Sequence, residues 1–598
     1  MKRVARKRRI VWIPADRIGF HPSHRLFPCN FLKPGYAIIM WQFRKWVSFF
    51  LCFSLVILGS IMGCALGQGP LADFYSLSSG AAGFHSWLHR SGSVTAAAYT
   101  PPVYSPFAKT WGGAGASLSA NRIAVDRWGN VYVAGQFKGT VHFDPAHLNP
   151  SGLVTSANST LDAFLCKFDP NRNFLWVRTW GGSAGRESAN GVDVDADGNP
   201  YVAGLYQGTV DFGSGYVYTS NAMPPLLFAP DNNIFVVRFN SAGVTQWVHT
   251  WGGTTGGEAY SVAVDRLNGA VYVQGDWSTY NEKVAVDFNQ NDPDHPALRT
   301  SHGFYDAFLS KFDLNGKFLW NNTWGGHGYD DGTSVAVDLL GNVYVCGMYG
   351  STDINFDPEG SAAGLGHGHG APTLDWNYVN VFLTRFDSQG KFQWVRTWGG
   401  MDSDDAGGGV AVDPSGYVYA AGRFNCTNCN FNGDPLGTPV ILSTTGFHDA
   451  FISKYDPGGT FQWVKTWDGV NDESATGLAF DSAGHIYATG WVSGIPVNPS
   501  NPNYGIKSAQ AHIAALNSER TTLWARTWGP QGYLTFCAPP VFDSAGHIFL
   551  AGTFQSTANF NSDGGTDLRT ATGTSDAYLI QFTIPPAAHS LYLPLLIR

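Results

Sequence analysis

The dipeptide Thr-Trp occurs seven times along the chain, and this recurrence restricts the fold more than any other feature of the sequence. Successive copies lie 61 to 74 residues apart, and their tryptophans are Trp111, Trp180, Trp251, Trp324, Trp398, Trp467 and Trp528. In a chain of 598 residues, repeats of this size indicate an array of similar structural units that stack on one another. Several unrelated domains would not produce such a period.

Each unit contains four short apolar segments in the same order. The first is spelled Ser-Val-Ala-Val-Asp at 334–338, and the second is Asn-Val-Tyr-Val-Cys-Gly at 342–347. A variable insert follows, then a segment such as Asp-Ala-Phe-Leu-Ser-Lys-Phe at 306–312, and finally Trp-x-x-Thr-Trp-Gly-Gly. Segments of this length, bounded by Gly, Asp or Asn, are typical of β-strands. Four locally connected antiparallel strands per unit make one blade of a β-propeller, the architecture that WD40 proteins also use.

The order of the segments at the two ends of the array predicts how the ring closes. The first segment, at 106–112, is a fourth strand with no three strands before it, and the last, at 576–582, is a third strand with no fourth strand after it. We therefore expect these two segments to pair, which removes exposed sheet edges. The predicted fold is all-β: a seven-bladed β-propeller of four-stranded antiparallel blades, closed by an N-terminal strand that completes the last blade.

Two other recurrent features are interpreted as structural. A turn of the form Asp-x-x-Gly-Asn, as at 126–130, joins the first two strands of a unit. Its Gly supplies a positive φ and its Asp can accept backbone N–H groups, but the turn has too few oxygen ligands for a calcium loop. The fourth strands carry Trp pairs four residues apart, which places both rings on one face. We interpret these rings as packing sites rather than as a sugar platform.

Charge is distributed unevenly along the chain. Residues 1–67 contain 11 of the 37 Lys and Arg residues but one of the 45 Asp and Glu residues, so the remainder has a net charge of -18. A body this acidic repels a phosphate backbone, which excludes nucleic acid as the expected partner. The abundance of aromatic residues, 14% of the chain, also excludes disorder over most of its length.

The N-terminal region has the features of an export signal. Residues 47–67 carry no charge and follow Arg44 and Lys45, so residues 40–67 are predicted to be a signal peptide or a membrane anchor, with 1–39 a spurious extension upstream of Met40. Cleavage after Gly67 and lipidation of Cys64 are both open. Either way, we expect an extracellular or cell-surface protein that meets the membrane only through this segment. Residues 68–104 are predicted to be a linker, 105–583 the propeller and 584–598 a C-terminal tail.

The complete repeat resembles a known family. The pattern AVDxxGNVYVxG, DAFLxKFD and W-x-x-TWGG is similar to the bacterial SBBP repeat, over roughly 105–583. The resemblance implies a seven-bladed propeller at the cell surface or outside the cell, and it implies no particular activity. The last two units depart from the pattern, for example with Ala-His-Ile at 511–513 where Asp-Ala-Phe is expected.

Acidic residues recur in the loops that lead from a fourth strand to the next first strand. They are Glu187, Glu258, Asp330, Asp331, Asp404, Asp405, Asp472 and Glu473. One hypothesis is that they surround the mouth of the central channel and attract cations, calcium among them, or a basic ligand. The alternative is that each carboxylate accepts hydrogen bonds from backbone N–H groups of its own loop.

Two further motifs bear on metal and redox chemistry. His367 and His369 lie in a Gly-His-Gly-His-Gly run, which offers two imidazoles but no third ligand of clear spacing. Cys426 and Cys429 form a single Cys-x-x-Cys without a second such pair. In an exported protein this spacing favours a local disulfide, with free thiols as the alternative.

The long inserts between second and third strands emerge on one face, together with the loops between blades, and we expect binding there. The predicted function is a binding or scaffold module for protein or glycan, acting as a monomer. No catalytic signature is found in the sequence. One alternative is a polysaccharide lyase or hydrolase, which requires two or three non-repeating polar residues that converge on the channel. The other is a purely structural surface repeat.

Overall fold

A computed structural model describes Tyr99 and residues 101–584, except positions 106–107, 145, 147–148, 183–184, 221–231, 253–255, 280–284, 358–378, 401–404, 435–436, 446, 468–471, 494–508, 531–532 and 562. The predicted signal or anchor at 40–67, with Cys64, lies outside the described residues, as do His367, His369 and Asp404. The domain boundaries predicted at either end therefore stay predictions.

The described residues form seven antiparallel blades, which confirms the predicted fold class. In each blade the strands are called first to fourth in chain order. Blade 1 comprises Ser117–Val125, Val131–Lys138, Asp162–Phe168 and Phe174–Trp180. Blade 2 comprises Ser188–Val194, Pro200–Tyr206, Asn233–Phe239 and Thr245–Trp251. Blade 3 comprises Gly257–Asp265, Ala270–Trp277, Asp306–Asp313 and Phe318–Trp324.

Blades 4 to 6 follow the same order. Blade 4 comprises Asp330–Val337, Val343–Tyr349, Asn380–Phe386 and Phe392–Trp398. Blade 5 comprises Ala406–Val412, Val418–Phe424, Asp449–Tyr455 and Phe461–Trp467. Blade 6 comprises Glu473–Phe480, Ile486–Val492, Gln510–Leu516 and Thr522–Trp528. The first strands of successive blades contact one another, so they line the central channel.

Blade 7 joins the two ends of the propeller. Its first strand is split into Thr535–Cys537 and Val541–Phe542, and Ile548–Phe554 and Asp576–Thr583 follow as second and third strands. The fourth strand comes from the start of the array: Lys109–Trp111 and Val103–Tyr104 both pair antiparallel with Asp576–Thr583. One carboxylate holds this junction, because Asp567 accepts hydrogen bonds from the Tyr104 hydroxyl and the Ala108 backbone N–H, both at 2.6 Å. The predicted closure is confirmed.

The inserts between second and third strands form small hairpins on the long-loop side. These hairpins are Thr140–His142 with Leu153–Thr155, Thr209–Asp211 with Val217–Thr219, Val286–Asp287 with Leu298–Arg299, Cys429–Asn430 with Ile441–Leu442, and Thr557–Asn559 with Leu568–Thr570. The helices within the described residues are two short 3-10 turns, Pro150–Gly152 and Ala157–Ser159. In this part of the chain no helix has the length and apolar character needed to cross a membrane.

The turns between first and second strands take the form that the sequence predicts. Asp126 accepts hydrogen bonds from the backbone N–H groups of Trp128 and Asn130 at 3.0 and 2.9 Å, and Gly129 has a φ of 83°. The hydroxyl of Tyr132 then donates to the carbonyl of Gly198 in the next blade at 2.8 Å. Each turn therefore also helps to join neighbouring blades.

The repeated tryptophans fill the space between blades. The ring of Trp251, at the end of the fourth strand of blade 2, lies 5.7 Å from Phe308 and 5.9 Å from Phe312 in the third strand of blade 3. Trp111 makes the same kind of contact with Phe168 in blade 1, at 5.3 Å. Both tryptophans are buried, so they serve as the packing residues that the sequence predicts.

Replacing Trp111 with Ala should destabilise the propeller strongly. The side chain is 2% exposed and belongs to the strand that closes the ring, so its loss leaves a cavity at the junction of blades 7 and 1. We expect the free energy of unfolding in urea to fall by about 3–5 kcal/mol. The matched control is Trp128→Ala, whose ring is 51% exposed, and it should cost less than about 1 kcal/mol. Equal losses in the two variants would contradict this account of the closure.

Candidate functional site

The first strand of each blade sets which side chains reach the mouth of the channel. In each blade we count back along the chain from the Asp at the end of the first strand or directly after it, such as Asp126 in blade 1. The residue eight places before this Asp is called the cap position, and the residue seven places before it is called the mouth position. Successive side chains of a strand point to opposite faces, so adjacent positions differ in environment. The cap positions are Leu118, Glu187, Gly257, Asp330, Asp405, Glu473 and Thr535, and the mouth positions are Ser119, Ser188, Glu258, Asp331, Ala406, Ser474 and Phe536.

Acids at the cap position are buried and hold the loop that precedes them. Glu187 accepts hydrogen bonds from the backbone N–H groups of Gly182 and Gln207 at 3.2 and 3.4 Å. Asp330 accepts from the N–H of Gly326 at 2.7 Å and from the hydroxyl of Ser351 at 2.6 Å. Burial raises the pKa of Glu187 to about 7 and that of Asp330 to about 8. Their geometry is that of the loop-capping alternative.

Asp405, Asp472 and Glu473 are buried as well. Asp405 accepts a hydrogen bond from the N–H of Asn425 at 2.7 Å, and Asp472 lies 2.8 Å from Nδ1 of a buried histidine, His448. The seven of these acids that the structure describes therefore do not form one exposed ring, because two adjacent positions of a strand face different surroundings. Ligand binding by any of them stays a prediction.

Glu258 and Asp331 occupy the mouth position in blades 3 and 4, and a third carboxyl group lies beside them. Asp276, at the end of the second strand of blade 3, accepts a hydrogen bond from the N–H of Glu258 at 3.0 Å and from the hydroxyl of Tyr260 at 2.9 Å. We call Glu258, Tyr260, Asp276 and Asp331 the mouth cluster. The sequence analysis missed Asp276, although an acid that replaces Leu205 and Met348 of the adjacent blades is a visible break in the repeat.

Burial changes the proton affinity of the mouth cluster. It raises the pKa of Asp276 well above its usual range, and the neighbouring Asp331 and Glu258 raise it further. Burial, followed by the charge of Glu258, raises the pKa of Asp331 to about 7. The pKa of Glu258 is also raised by burial, although Arg186 opposes this. The cluster therefore holds protons at a pH where most carboxyl groups are ionised.

The surroundings of the mouth cluster contain more hydrogen-bond acceptors than donors. Asn190 donates its amide to Oε1 of Glu258 at 2.8 Å. Oδ1 of Asp331 and Oε1 of Gln274 are buried, and among the described residues no N–H or hydroxyl group donates to either; the Asp331 carboxyl instead shares a hydrogen bond with that of Asp276. Gln274 is fully buried and packs against Gly332, next to Asp331. A ligand with several hydroxyl or amine donors would complement this arrangement.

Three aromatic side chains lie close to the cluster. The rings of Phe304 and Tyr329 stack with centroids 5.1 Å apart and planes 9° from parallel, and Tyr305 stacks on Tyr329 at 5.8 Å and 22°. All three are partly exposed. We call them the aromatic stack. Burial, with the charges of Asp276 and Asp331, raises the pKa of Tyr305, which places its hydroxyl near the mouth cluster.

The donor set for a metal ion is poor in the part of the chain described. Among the described residues, one group of three possible ligands has its ligand atoms within 4.8 Å of one another. It consists of Asp405, Cys426 and Cys429. The two sulfur atoms are joined as a disulfide, and a disulfide lacks the thiolate that zinc requires. Cys166, Cys346 and Cys537 are buried thiols.

Comparison with known proteins identifies the repeat in two parts of the chain. A family model for the SBBP beta-propeller repeat matches residues 111–136 and 324–357. These ranges carry the Thr-Trp-Gly-Gly ends of fourth strands together with the first two strands that follow. Two units of the propeller therefore match the SBBP repeat, as the sequence pattern predicts.

Proteins similar to this chain share little sequence with it. It is 23% identical, over 502 residues and 73% of its length, to an uncharacterised WD repeat-containing protein of Acanthamoeba polyphaga mimivirus, and it spans 35% of that protein. A solved protein of unknown function from Dyadobacter fermentans has 10% identity and a TM-score of 0.35, with 81% of this chain and 98% of that one covered. A gluconolactonase from Xanthomonas campestris has 14% identity and a TM-score of 0.25, covering 66% and 95%.

Replacing Asp331 with Asn should change how stability depends on pH. The pKa of Asp331 is about 7 in the folded protein against a usual value of 3.8, so the folded state holds this proton more tightly. The resulting stabilisation is complete below about pH 4 and is lost as the pH rises through 7. The free energy of unfolding of the wild type, relative to Asp331→Asn, should therefore fall by roughly 2–4 kcal/mol between pH 4 and 8. Urea unfolding across this range measures it.

Asp197→Asn is the control for this experiment, because Asp197 lies on an exposed turn. Its difference from the wild type should vary little with pH. A wild-type curve parallel to that of Asp331→Asn would mean that the Asp331 carboxyl is as well solvated as one on the surface.

Proposed function

We propose that this protein is an exported binding module that holds a saccharide at the channel mouth, over blades 3 and 4. The observation that carries the proposal is the aromatic stack beside the acceptor-rich mouth cluster. Export is proposed from the basic residues and the uncharged segment at 47–67. Protein and glycan were both expected as partners from the sequence, and the chemistry of this site favours the glycan.

The two parts of the site match the two kinds of surface that a sugar ring presents. The C–H face of a pyranose is apolar and packs on aromatic rings such as Phe304 and Tyr329, while its hydroxyl groups donate hydrogen bonds. Glu258 offers an accessible carboxylate, because 20% of its side chain is exposed and Asn190 donates to Oε1. A hydrogen bond from a ligand hydroxyl to a partly buried carboxylate is stronger than the same bond in water.

A purely structural repeat protein accounts less well for these residues. Ser, Ala or Phe fills the mouth position in the five blades other than 3 and 4, so the fold itself does not require an acid there. Burying Asp276 close to Glu258 and Asp331 raises their pKa values and costs stability near neutral pH. Groups retained at such a cost are more common at functional sites than elsewhere.

Binding of neutral oligosaccharides by the full-length chain, purified in mild detergent, tests the proposal. Titration calorimetry with gluco-, manno- and galacto-oligosaccharides should find at least one ligand, and Tyr329→Ala should weaken it tenfold or more because half of the stacking surface is lost. Tyr533→Ala is the matched control, since Tyr533 is 48% exposed in the corresponding loop before blade 7. Binding that is indifferent to both Tyr329→Ala and Glu258→Gln would contradict the proposed site.

A second candidate function is glycoside hydrolysis, and the proton held by Asp276 and Asp331 favours it. Such hydrolysis requires one protonated carboxyl group to donate to the leaving oxygen and a second carboxylate nearby. The raised pKa of Asp331, about 7, suits the first role near neutral pH, and Glu258, whose charge contributes to that shift, is the candidate for the second. The alternative enzyme predicted from the sequence needs non-repeating polar residues at the channel, and the mouth cluster supplies them.

Incubation of a bound oligosaccharide with the protein separates the two candidates. Hydrolysis should release shorter sugars, and Asp331→Asn should slow their release a hundredfold or more when the oligosaccharide is saturating for each protein. Asp197→Asn should release them at the wild-type rate. Bound oligosaccharide that stays intact for days would leave binding as the function of the site.

A further inference from the structure

Arg122 breaks the repeat in the wall of the channel. It lies in the first strand of blade 1, four residues before Asp126, a place that we call the wall position. The wall positions of the other blades hold small residues or proline: Gly191, Ser261, Ser334, Gly409, Gly477 and Pro539. A long cationic side chain therefore occurs once among seven equivalent places.

The wall position is narrow because its side chain faces the first strand of the next blade. The hydroxyl of Ser261 accepts a hydrogen bond from the N–H of Val335 in blade 4 at 3.4 Å, and Ser334 accepts from the N–H of Val410 in blade 5 at 3.3 Å. By the same geometry Arg122 faces blade 2 at Gly191. Arginine is much larger than the glycine, serine or proline that occupies this position in the other blades.

The charge of Arg122 is not balanced by the protein. Within the described residues its guanidinium makes neither an ion pair nor a hydrogen bond, whereas Arg238 lies 3.6 Å from Asp195 and Lys167 lies 3.9 Å from Asp126. Burial lowers the pKa of Arg122 to about 10, and no carboxylate opposes this change. Arg122 keeps part of its surface exposed, so an anion from solution can reach it. Pairing a partly buried cation with an anion removes much of the penalty of its burial.

A continuous polar wall connects Arg122 to the mouth cluster. The amide of Asn121 donates to the hydroxyl of Ser188 and the carbonyl of Ala189 at 3.2 and 3.1 Å, and Asn190 donates to Glu258. On one strand the wall position lies three residues from the mouth position, which is about 10 Å. Arg122 and the mouth cluster are on different blades, so this polar wall runs around the channel as well as along it.

We propose that Arg122 is an oxyanion subsite and that the saccharide bound by this protein is acidic, with a carboxylate on the unit that enters the channel. The inference rests on the proposed function and specifies its ligand. The planar guanidinium offers paired N–H donors that match the two oxygens of a carboxylate. The hydroxyl groups of the outer unit then face the mouth cluster, and its ring lies on the aromatic stack.

The test compares two disaccharides that differ in one group, a carboxylate or a hydroxymethyl on the terminal unit. Titration calorimetry uses the full-length wild type, Arg122→Gln and the control Arg127→Gln, which removes an exposed arginine on the opposite face. The wild type should bind the uronate disaccharide at least tenfold more tightly than the neutral one. Arg122→Gln should abolish this preference while it retains the neutral ligand, and Arg127→Gln should keep the preference.

The outcomes separate the subsite from the proposed function. Equal affinities in the wild type, or a preference that survives in Arg122→Gln, would overturn the inference and leave neutral saccharide binding intact. If neither disaccharide binds, thermal unfolding with sodium glucuronate and with sodium sulfate decides: stabilisation lost only in Arg122→Gln supports the anion subsite without the saccharide function, and its absence overturns both. Unfolding temperatures without ligand should be equal or higher in Arg122→Gln, because the variant removes an unpaired charge.

Discussion

The whole ring depends on one contact made again and again: the tryptophan that ends a fourth strand packs on the aromatic side chains of the third strand in the next blade. Trp251 does so with Phe308, and Trp324 lies 5.3 Å from Phe386. These contacts fix the angle between neighbouring sheets, and that angle brings the seven first strands together around one axis. The channel and everything that points into it follow from this packing.

A framework that repeats seven times makes departures from the repeat informative. Six copies of a position show what the fold requires there, so the seventh can be compared with them directly. By this comparison Asp276 and Arg122 stand out at once, and Glu258 and Asp331 are the acids among otherwise small or aromatic mouth residues. At each of these positions the other blades fold without a residue of the same charge, and the proposed saccharide site rests on this contrast.

The number of blades, the closing strand and the turns could be predicted because each depends on local spacing and on the order of segments. The site could be predicted only in part. Glu258 and Glu187 both precede a first strand, yet one faces the channel and the other a buried loop, since a shift of one residue reverses the direction of a side chain. Asp276 was missed because it lies on a different strand, and only the pairing of Glu258 with Asp276 in the sheet brings the two together. The aromatic stack joins loops from two blades, which the sequence does not align.

The closing strand has a consequence for how the molecule assembles. The hydroxyl groups of Ser105 and Thr583 lie 2.8 Å apart, although 478 positions separate them in sequence. Blades 1 to 6 are built from neighbouring segments and can form one after another as the chain emerges, whereas blade 7 waits for the last strand to be synthesised. The entropy cost of closing a loop rises only slowly with its length, so the long separation destabilises the closed ring little. It does, however, make closure a late step of folding. During that interval the open ring exposes the unpaired faces of blades 1 and 6, and this is the stage at which the chain is most prone to associate with other copies.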